Sequence, residues 1–180
     1  MFALLRAALI ALLVLPASAQ AASYRDKSVP ITVSPNLDLT RYLGKWYEIA
    51  RFPNRFEKGC VGVTAEYAMR SDGKVRVLNT CRKGTMDGEV QQAEGQAKVV
   101  APGKLSVTFV PWLPFAKGDY WVLYVDDAHS LAVVGEPKGR TGWILARDPA
   151  ISTTAYDTAL QVLIRNGYDT SKLLLVEQGQ

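Results

Sequence analysis

Two cysteines and one histidine are all that the 180 residues hold of the side chains most used to bind metals. That scarcity removes the usual material for a four-ligand structural zinc site, for haem ligation and for a disulfide-built mini-protein. No cofactor and no metal is implied. Runs of like charge and low-complexity stretches are missing too, and the nine Pro and fourteen Gly are scattered, which argues against a disordered or fibrous chain. The formal charge of +4 is spread through alternating basic and acidic residues. A nucleic-acid partner would call for a concentrated basic face, so none is expected. No Gly-rich phosphate loop and no Gly-x-Ser-x-Gly is found. What is there, 48% apolar and 21% charged residues, describes one globular domain with enough chain to bury a core.

The one long apolar run, Ala7 to Leu15, follows a single basic residue, Arg6, and leads through Pro16 into Ala17-Ser18-Ala19-Gln20-Ala21. It is shorter than the about 20 residues that span a bilayer, and small residues end it as a secretory signal peptide ends. We expect residues 1–21 to be removed, residues 22–37 to form an N-terminal segment and residues 38–178 to form the domain. No Cys near the cut offers a lipoprotein attachment point, so a periplasmic protein, possible contact with the outer membrane included, is the expectation. A retained N-terminal anchor is the alternative.

Export places the thiols in an oxidising compartment, so Cys60 and Cys81 are expected to pair. Cys60 opens one alternating run and Cys81 closes the next, with the turn Ser71-Asp72-Gly73 between them. The hairpin register sets the two cysteines opposite each other to within a residue. A free catalytic thiol is the alternative.

From Gly44 onward the dominant period is two. Candidate strands are Gly44 to Phe52, Cys60 to Arg70, Lys74 to Cys81, Glu89 to Val100, Lys104 to Val110, Asp119 to Asp126, Ser130 to Glu136 and Thr141 to Arg147. Turn residues separate them. Ser152 then caps a helix from Thr153 to Asn166, with apolar residues Tyr156, Leu160, Leu163 and Ile164, ending at Gly167. Lys172 to Glu177 makes a short ninth strand. The expected fold is all-β: an eight-stranded antiparallel up-and-down barrel with one C-terminal α-helix packed outside, because closure removes the edges of an open sheet.

Alternation points Ala65, Tyr67 and Met69, Val75 and Val77, and Leu105, Val107 and Phe109 into the barrel. On the strand Glu89 to Val100 the inward set is Gln91, Ala93, Gly95 and Ala97, mostly small. Small residues facing Tyr67, Phe109, Tyr120 and Trp143 leave room, and a barrel of this size suits either a filled core or one small ligand. Periodicity alone leaves both open.

The stretch Gly44-Lys45-Trp46-Tyr47-Glu48-Ile49-Ala50-Arg51-Phe52 resembles the lipocalins, a calycin family whose first strand carries Gly-x-Trp. Asn54-Arg55-Phe56-Glu57 follows it, and Trp143-Ile144-Leu145-Ala146-Arg147-Asp148-Pro149 is similar to the family's third motif. Val63 to Tyr67, Gln91 to Gly95 and Arg165 to Asp169 resemble the branch that holds bacterial outer-membrane lipocalins, apolipoprotein D and plant temperature-induced lipocalins. The resemblance spans about Asp38 to Gln178. It implies that Gly44, Trp46 and Arg147 are structural, with the guanidinium over the indole at the closed end.

The resemblance also implies a fatty acid or lysophospholipid in the barrel, for transport or storage in the cell envelope and membrane upkeep under stress. The implied lining residues are Ala65, Tyr67, Val77, Phe109, Tyr120, Val122, Tyr124 and Trp143. A pigment cargo is not distinguished from a lipid, and homodimers occur among relatives. Loops 53–58 and 111–117 offer Arg55 and Lys117 beside Trp112, Leu113 and Phe115, which suits a membrane interface or a loop folded over the mouth. This chain departs from the outer-membrane relatives in lacking the lipoprotein Cys and in carrying two Cys of its own.

An enzyme would need an activated group. His129 sits in the turn Asp126-Asp127-Ala128-His129-Ser130, expected to be solvated, and Glu48 has inward parity with no evident second carboxylate or base. A binder without chemistry is therefore expected. The alternatives are a small isomerase or hydrolase using a cavity carboxylate or thiol, and an envelope interaction protein with a filled barrel.

Overall fold

The computed structural model describes residues 23–113 and 115–179; the signal-peptide expectation lies outside them. Eight strands make the barrel: β1 Gly44–Arg51, β2 Cys60–Met69, β3 Val75–Lys83, β4 Val90–Ala101, β5 Lys104–Thr108, β6 Gly118–Val125, β7 Leu131–Gly135 and β8 Gly142–Ala146. Each pairs antiparallel with its neighbour, and β1 closes the ring by pairing with both β8 and β2. The alternating pattern turns one face of each strand into the ring, and closure leaves the barrel without an open edge.

A short helix, α1 Leu39–Tyr42, crosses the lower end, and the longer α2 Thr153–Arg165 packs outside. Ser152 accepts the Ala155 N–H at 3.1 Å, so the expected N-cap is in place. Gly167, at φ +81°, takes the left-handed conformation that ends the helix. The helix buries Ala159, Val162 and Leu163 against the outer wall, whereas Ile164, expected on that face, is 47% exposed.

The ninth strand is shorter than expected. Residues Thr170–Lys172 form a 3-10 turn and only Leu174–Leu175, β9, pairs with β1. The chain beyond it still bonds as an extended segment. Val176 donates to Ile49 O at 2.9 Å, Gly62 donates to Glu177 O at 2.7 Å, and Gln178 Nε2 donates to Glu48 O and Val63 O. The tail thus fills the gap that opens where β2 leaves β1.

Two apolar layers result. The inner one holds Tyr42, Trp46, Tyr67, Val75, Val77, Ala97, Leu105, Val122, Ala132, Val134 and Leu145. The outer one, between wall and helix, holds Phe52, Leu123, Leu131, Val133, Ile144, Val162, Leu163 and Tyr168 among others. Residues 23–36 cover part of it: Tyr24 stacks on Phe52 at 5.0 Å, and the Arg25 guanidinium donates to Asn166 O at 2.6 Å.

Candidate functional site

The barrel floor is assembled from β1, β8 and α1. Arg147 sets its guanidinium carbon 3.9 Å from the Trp46 ring centroid and donates to the carbonyls of His129, Lys45, Arg41, Tyr42 and Leu43. Trp46 Nε1 donates to Tyr42 O at 2.8 Å, and Trp46 is fully buried. Gly44, at φ +92°, brings the strand into this corner, where an added Cβ would sit 3.4 Å from Arg147 Nη1. The expected indole–guanidinium stack is thus present, and it seals the closed end.

Above the floor stands a cluster of aromatic rings. Tyr42 packs on Trp46 at 4.9 Å and on Tyr67 at 5.6 Å, and Tyr120 meets Tyr67 edge-on at 6.0 Å and stacks on Trp143 at 6.5 Å. The Tyr120 hydroxyl lies 2.8 Å from each of the Tyr42 and Tyr67 hydroxyls. Burial first, and then mutual repulsion, pushes the Tyr42 and Tyr120 phenols well above their ordinary range; burial also raises Tyr67.

Cross-strand register runs Ala65, Asn79 and Ala93 around the inner wall, with Tyr67, Val77 and Gly95 on the next level down. Phe109 lays its ring over Gly95, where an added Cβ would meet it at 2.8 Å, and the ring stays 39% exposed. Ala93 and Gln91 are exposed although their parity is inward. This side of the interior is therefore open at the level of Gln91 and Ala93, and Phe109 covers the level of Gly95 below.

The opposite side is polar. Glu48 Oε1 lies 2.8 Å from Arg51 Nη1, and Arg51 Nη2 donates to Glu57 O and Cys60 O. The Glu57 carboxylate accepts the Trp143 indole N–H at 3.1 Å and an N–H of Asn54. Asn54 Oδ1 in turn accepts the N–H groups of Phe56 and Glu57, which folds loop 53–58 over this side of the mouth. Burial raises the Glu48 carboxyl well above the usual range; the facing Glu57 adds to it and Arg51 opposes it. Burial wins.

Of the expected lining residues, Ala65, Tyr67, Val77, Tyr120, Val122 and Trp143 belong to or pack on the inner layer. Tyr124 does not. A bulge in β6 pairs Val122 with Val134 and Tyr124 with Val133, leaving Leu123 without an opposite residue. Parity flips there, so Tyr124 packs on the outer layer and Val125 on the inner one. A like bulge between Glu48 and Ala50 turns Arg51 inward; the expectation of Glu48 alone missed Arg51 and Glu57. An acid and a base three apart in an apolar strand were the available signal. Tyr42, on α1, carried no such signal.

Cys60 and Cys81 form a disulfide with Cα atoms 5.4 Å apart. The hairpin register is not the one expected: Met69 pairs with Val75 at the turn, and Cys60 pairs with Lys83 beyond a bulge between Val61 and Thr64. The bridge runs diagonally. His129 sits in its turn at φ +55°, but its Nε2 is enclosed with no hydrogen-bond partner among the described residues, unlike the solvated ring expected.

At the mouth, Phe56, Trp112 and Phe115 are 72%, 75% and 82% exposed. A groove of about 390 Å³ between loop 53–58 and β9 is lined by Arg51, Arg55, Glu57, Lys58 and Leu174, among others. No helix among the described residues is long and apolar enough to cross a membrane.

Comparison with known proteins gives the same frame. The family model described as Lipocalin-like domain matches residues 37–178. The outer membrane lipoprotein Blc of Escherichia coli (strain K12) is 42% identical over 151 residues, covering 82% of this chain and 83% of the relative. Temperature-induced lipocalin-1 of Arabidopsis thaliana is 37% identical over 150 residues, covering 78% and 79%, and apolipoprotein D of Macaca fascicularis is 33% identical over 156, covering 81% and 79%. Insecticyanin of the tobacco hornworm Manduca sexta superposes with a TM-score of 0.66 at 21% identity, covering 88% of each chain, a likeness of fold.

Proposed function

This chain belongs to the lipocalin-like family, binders of small hydrophobic ligands, and from that premise we propose that its barrel holds a fatty acid or lysophospholipid for transport or storage in the cell envelope. One observation carries the reading: Gln91 and Ala93 on β4 have inward parity yet are exposed, which leaves the inner wall near the mouth open where a filled core would cover it. Ala65, Tyr67, Val77, Phe109, Tyr120, Val122 and Trp143 line the space in this reading. Each methylene taken from water into an apolar site contributes about 0.8 kcal/mol, so a long acyl chain offers on the order of 10 kcal/mol before its lost freedom is counted.

The protein works without chemistry of its own in this proposal. With the disulfide formed, a thiol nucleophile has no source, and Glu48 is engaged by Arg51. Residues 1–21 serve as the export signal, and the periplasm is the compartment. The exposed Phe56, Trp112 and Phe115 beside Arg55, Lys58 and Lys117 suit brief contact between the mouth and an anionic lipid surface during loading.

Native mass spectrometry of protein purified from the periplasm is the test, paired with titration of fatty acids and lysophospholipids against indole fluorescence. The expected result is a co-purified lipid, and quenching that a Trp143→Phe variant reduces. No lipid in the spectrum together with no quenching by either class sinks the carrier reading.

A further inference from the structure

Tyr42, Tyr67 and Tyr120 bring three hydroxyls together just above the barrel floor, with Tyr120 Oη 2.8 Å from each of the other two. These two contacts are the only hydrogen bonds the three hydroxyls make among the described residues. Three hydroxyls carry three protons, and two contacts consume two of them whichever way each bond points. One O–H donor is therefore left over. Tyr42 and Tyr67 are 1% and 8% exposed, and a donor enclosed to that degree is rarely left without an acceptor.

The surroundings say where the acceptor must come from. Below, Tyr42 is closed off by Trp46, and Arg147 spends its guanidinium on five backbone carbonyls. Above, Tyr120 is only partly buried and stacks on Trp143 of the inner layer, so the cluster faces the barrel interior. An anion is a poor match, because a charge brought against the buried Tyr42 and Tyr67 would lose its water with no cation free to pair with it, Arg147 being spent on carbonyls. The spare donor calls for a neutral oxygen.

We propose that the deep end of the barrel recognises an uncharged acceptor oxygen, a hydroxyl or ketone near the inner end of a lipid chain, through the spare tyrosine hydroxyl. The inference rests on the carrier reading and narrows its ligand to an oxygenated lipid. It also fixes polarity: the headgroup stays at the mouth and the oxygenated end goes down.

The test is calorimetric titration of the full mature protein with hexadecanoic acid, its ω-hydroxy derivative and its α-hydroxy isomer. The ω-hydroxy acid should bind about tenfold tighter than the parent, the weight of one added hydrogen bond, while the α-hydroxy isomer gains nothing. Changing Tyr42, Tyr67 and Tyr120 together to Phe should bring the ω-hydroxy to parent ratio to one. Equal affinities in the unaltered protein overturn the inference and leave a water as the acceptor. A preference that survives the triple change overturns it too, since the oxygen is then read elsewhere. Should the triple variant fail to fold by circular dichroism, the dependence on hydroxyl position in the unaltered protein decides. If none of the three acids binds, the carrier reading falls and takes this inference with it, an outcome distinct from equal binding.

Discussion

Glu48 and Arg51 stand 2.8 Å apart inside the barrel although they lie three residues apart on one strand, a spacing that in regular pleating sends side chains to opposite faces. The bulge between Glu48 and Ala50 makes the pair possible. It sets one guanidinium beside a pair of facing carboxyl groups: Arg51 pairs with Glu48 and donates to the Glu57 backbone carbonyl, while the Glu57 carboxyl faces Glu48, so the cluster is one positive charge short of balance unless a proton is held.

That shortage gives stability a pH dependence of known sign. Burial raises the folded-state pKa of Glu48 above its ordinary value near 4.5, so the folded protein holds a proton that the unfolded chain has released. The contribution is fully present below about 4.5 and is lost as pH rises through the raised value. Glu48→Gln keeps the neutral form at every pH. Urea unfolding of both proteins should give similar stabilities in acid, with the variant gaining on the wild type as pH increases. The opposite trend would show that Arg51 outweighs burial.

Arg147 ties the turn at His129, the start of β1 and the end of α1 to the Trp46 face. Arg147→Ala removes a cation–π contact and charge-assisted bonds to five carbonyls, and should cost about 2–4 kcal/mol in denaturant unfolding. Arg147→Lys keeps the charge but not the planar fork, and should recover less than half of the loss. A change under about 0.5 kcal/mol for Arg147→Ala would mean that the floor is held by other contacts.

Eight strands, their order and the helix were legible because each rests on a local signal: alternation of period two, turn residues such as Asp72-Gly73, and Ser152 and Gly167 at the helix ends. The Trp46–Arg147 stack and the inner-layer places of Ala65, Tyr67, Val77, Tyr120, Val122 and Trp143 followed from parity and from the lipocalin resemblance. Parity also marks the limit. Tyr124 was misplaced because one unpaired residue, Leu123, reverses every later side chain on β6, and no residue type there announces it. The Cys60 register differs for another reason: the turn is centred later than expected, with Met69 opposite Val75, and the bulge between Val61 and Thr64 offsets that only in part. Long-range closure was illegible as well: α1 under the barrel and the tail between β1 and β2 exist because a sheared barrel leaves gaps that only the assembled fold defines.

The diagonal disulfide should matter for stability more than for binding. Its cysteines are 21 residues apart, a loop whose closure is worth about 3 kcal/mol in the chain-entropy model. The paired change Cys60→Ser, Cys81→Ser should lower unfolding stability by about that amount and leave lipid stoichiometry unaltered. Intact-mass measurement should give a deficit of about 2 Da against the reduced sequence, with no titratable thiol. Two titratable thiols in the unreduced protein would reopen thiol chemistry.

The mouth aromatics lend themselves to a surface measurement. Trp112 and Phe115 are among the most exposed large apolar side chains, and burial of each at a bilayer interface contributes on the order of 1–2 kcal/mol. Replacing both by Ser should weaken partitioning onto anionic liposomes by about tenfold or more, with the unfolding midpoint unchanged. Partitioning that stays the same would leave these loops as a cover for the mouth and nothing else.

The bulge at Leu123 separates two aromatic residues of similar expectation. Trp143 faces the inner layer, stacks on Tyr120 and donates to Glu57, whereas Tyr124 packs outside against the layer beneath α2. If the ligand lies within the barrel, Trp143→Ala should weaken fatty-acid binding by about tenfold or more through lost apolar contact. Tyr124→Ser should leave that affinity within about twofold while lowering stability by about 1–2 kcal/mol, because it strips contacts from the outer layer. Calorimetric titration and urea unfolding on both variants check the pair. Equal loss of binding in the two would place the ligand against the outer wall, or mean that parity does not flip at Leu123.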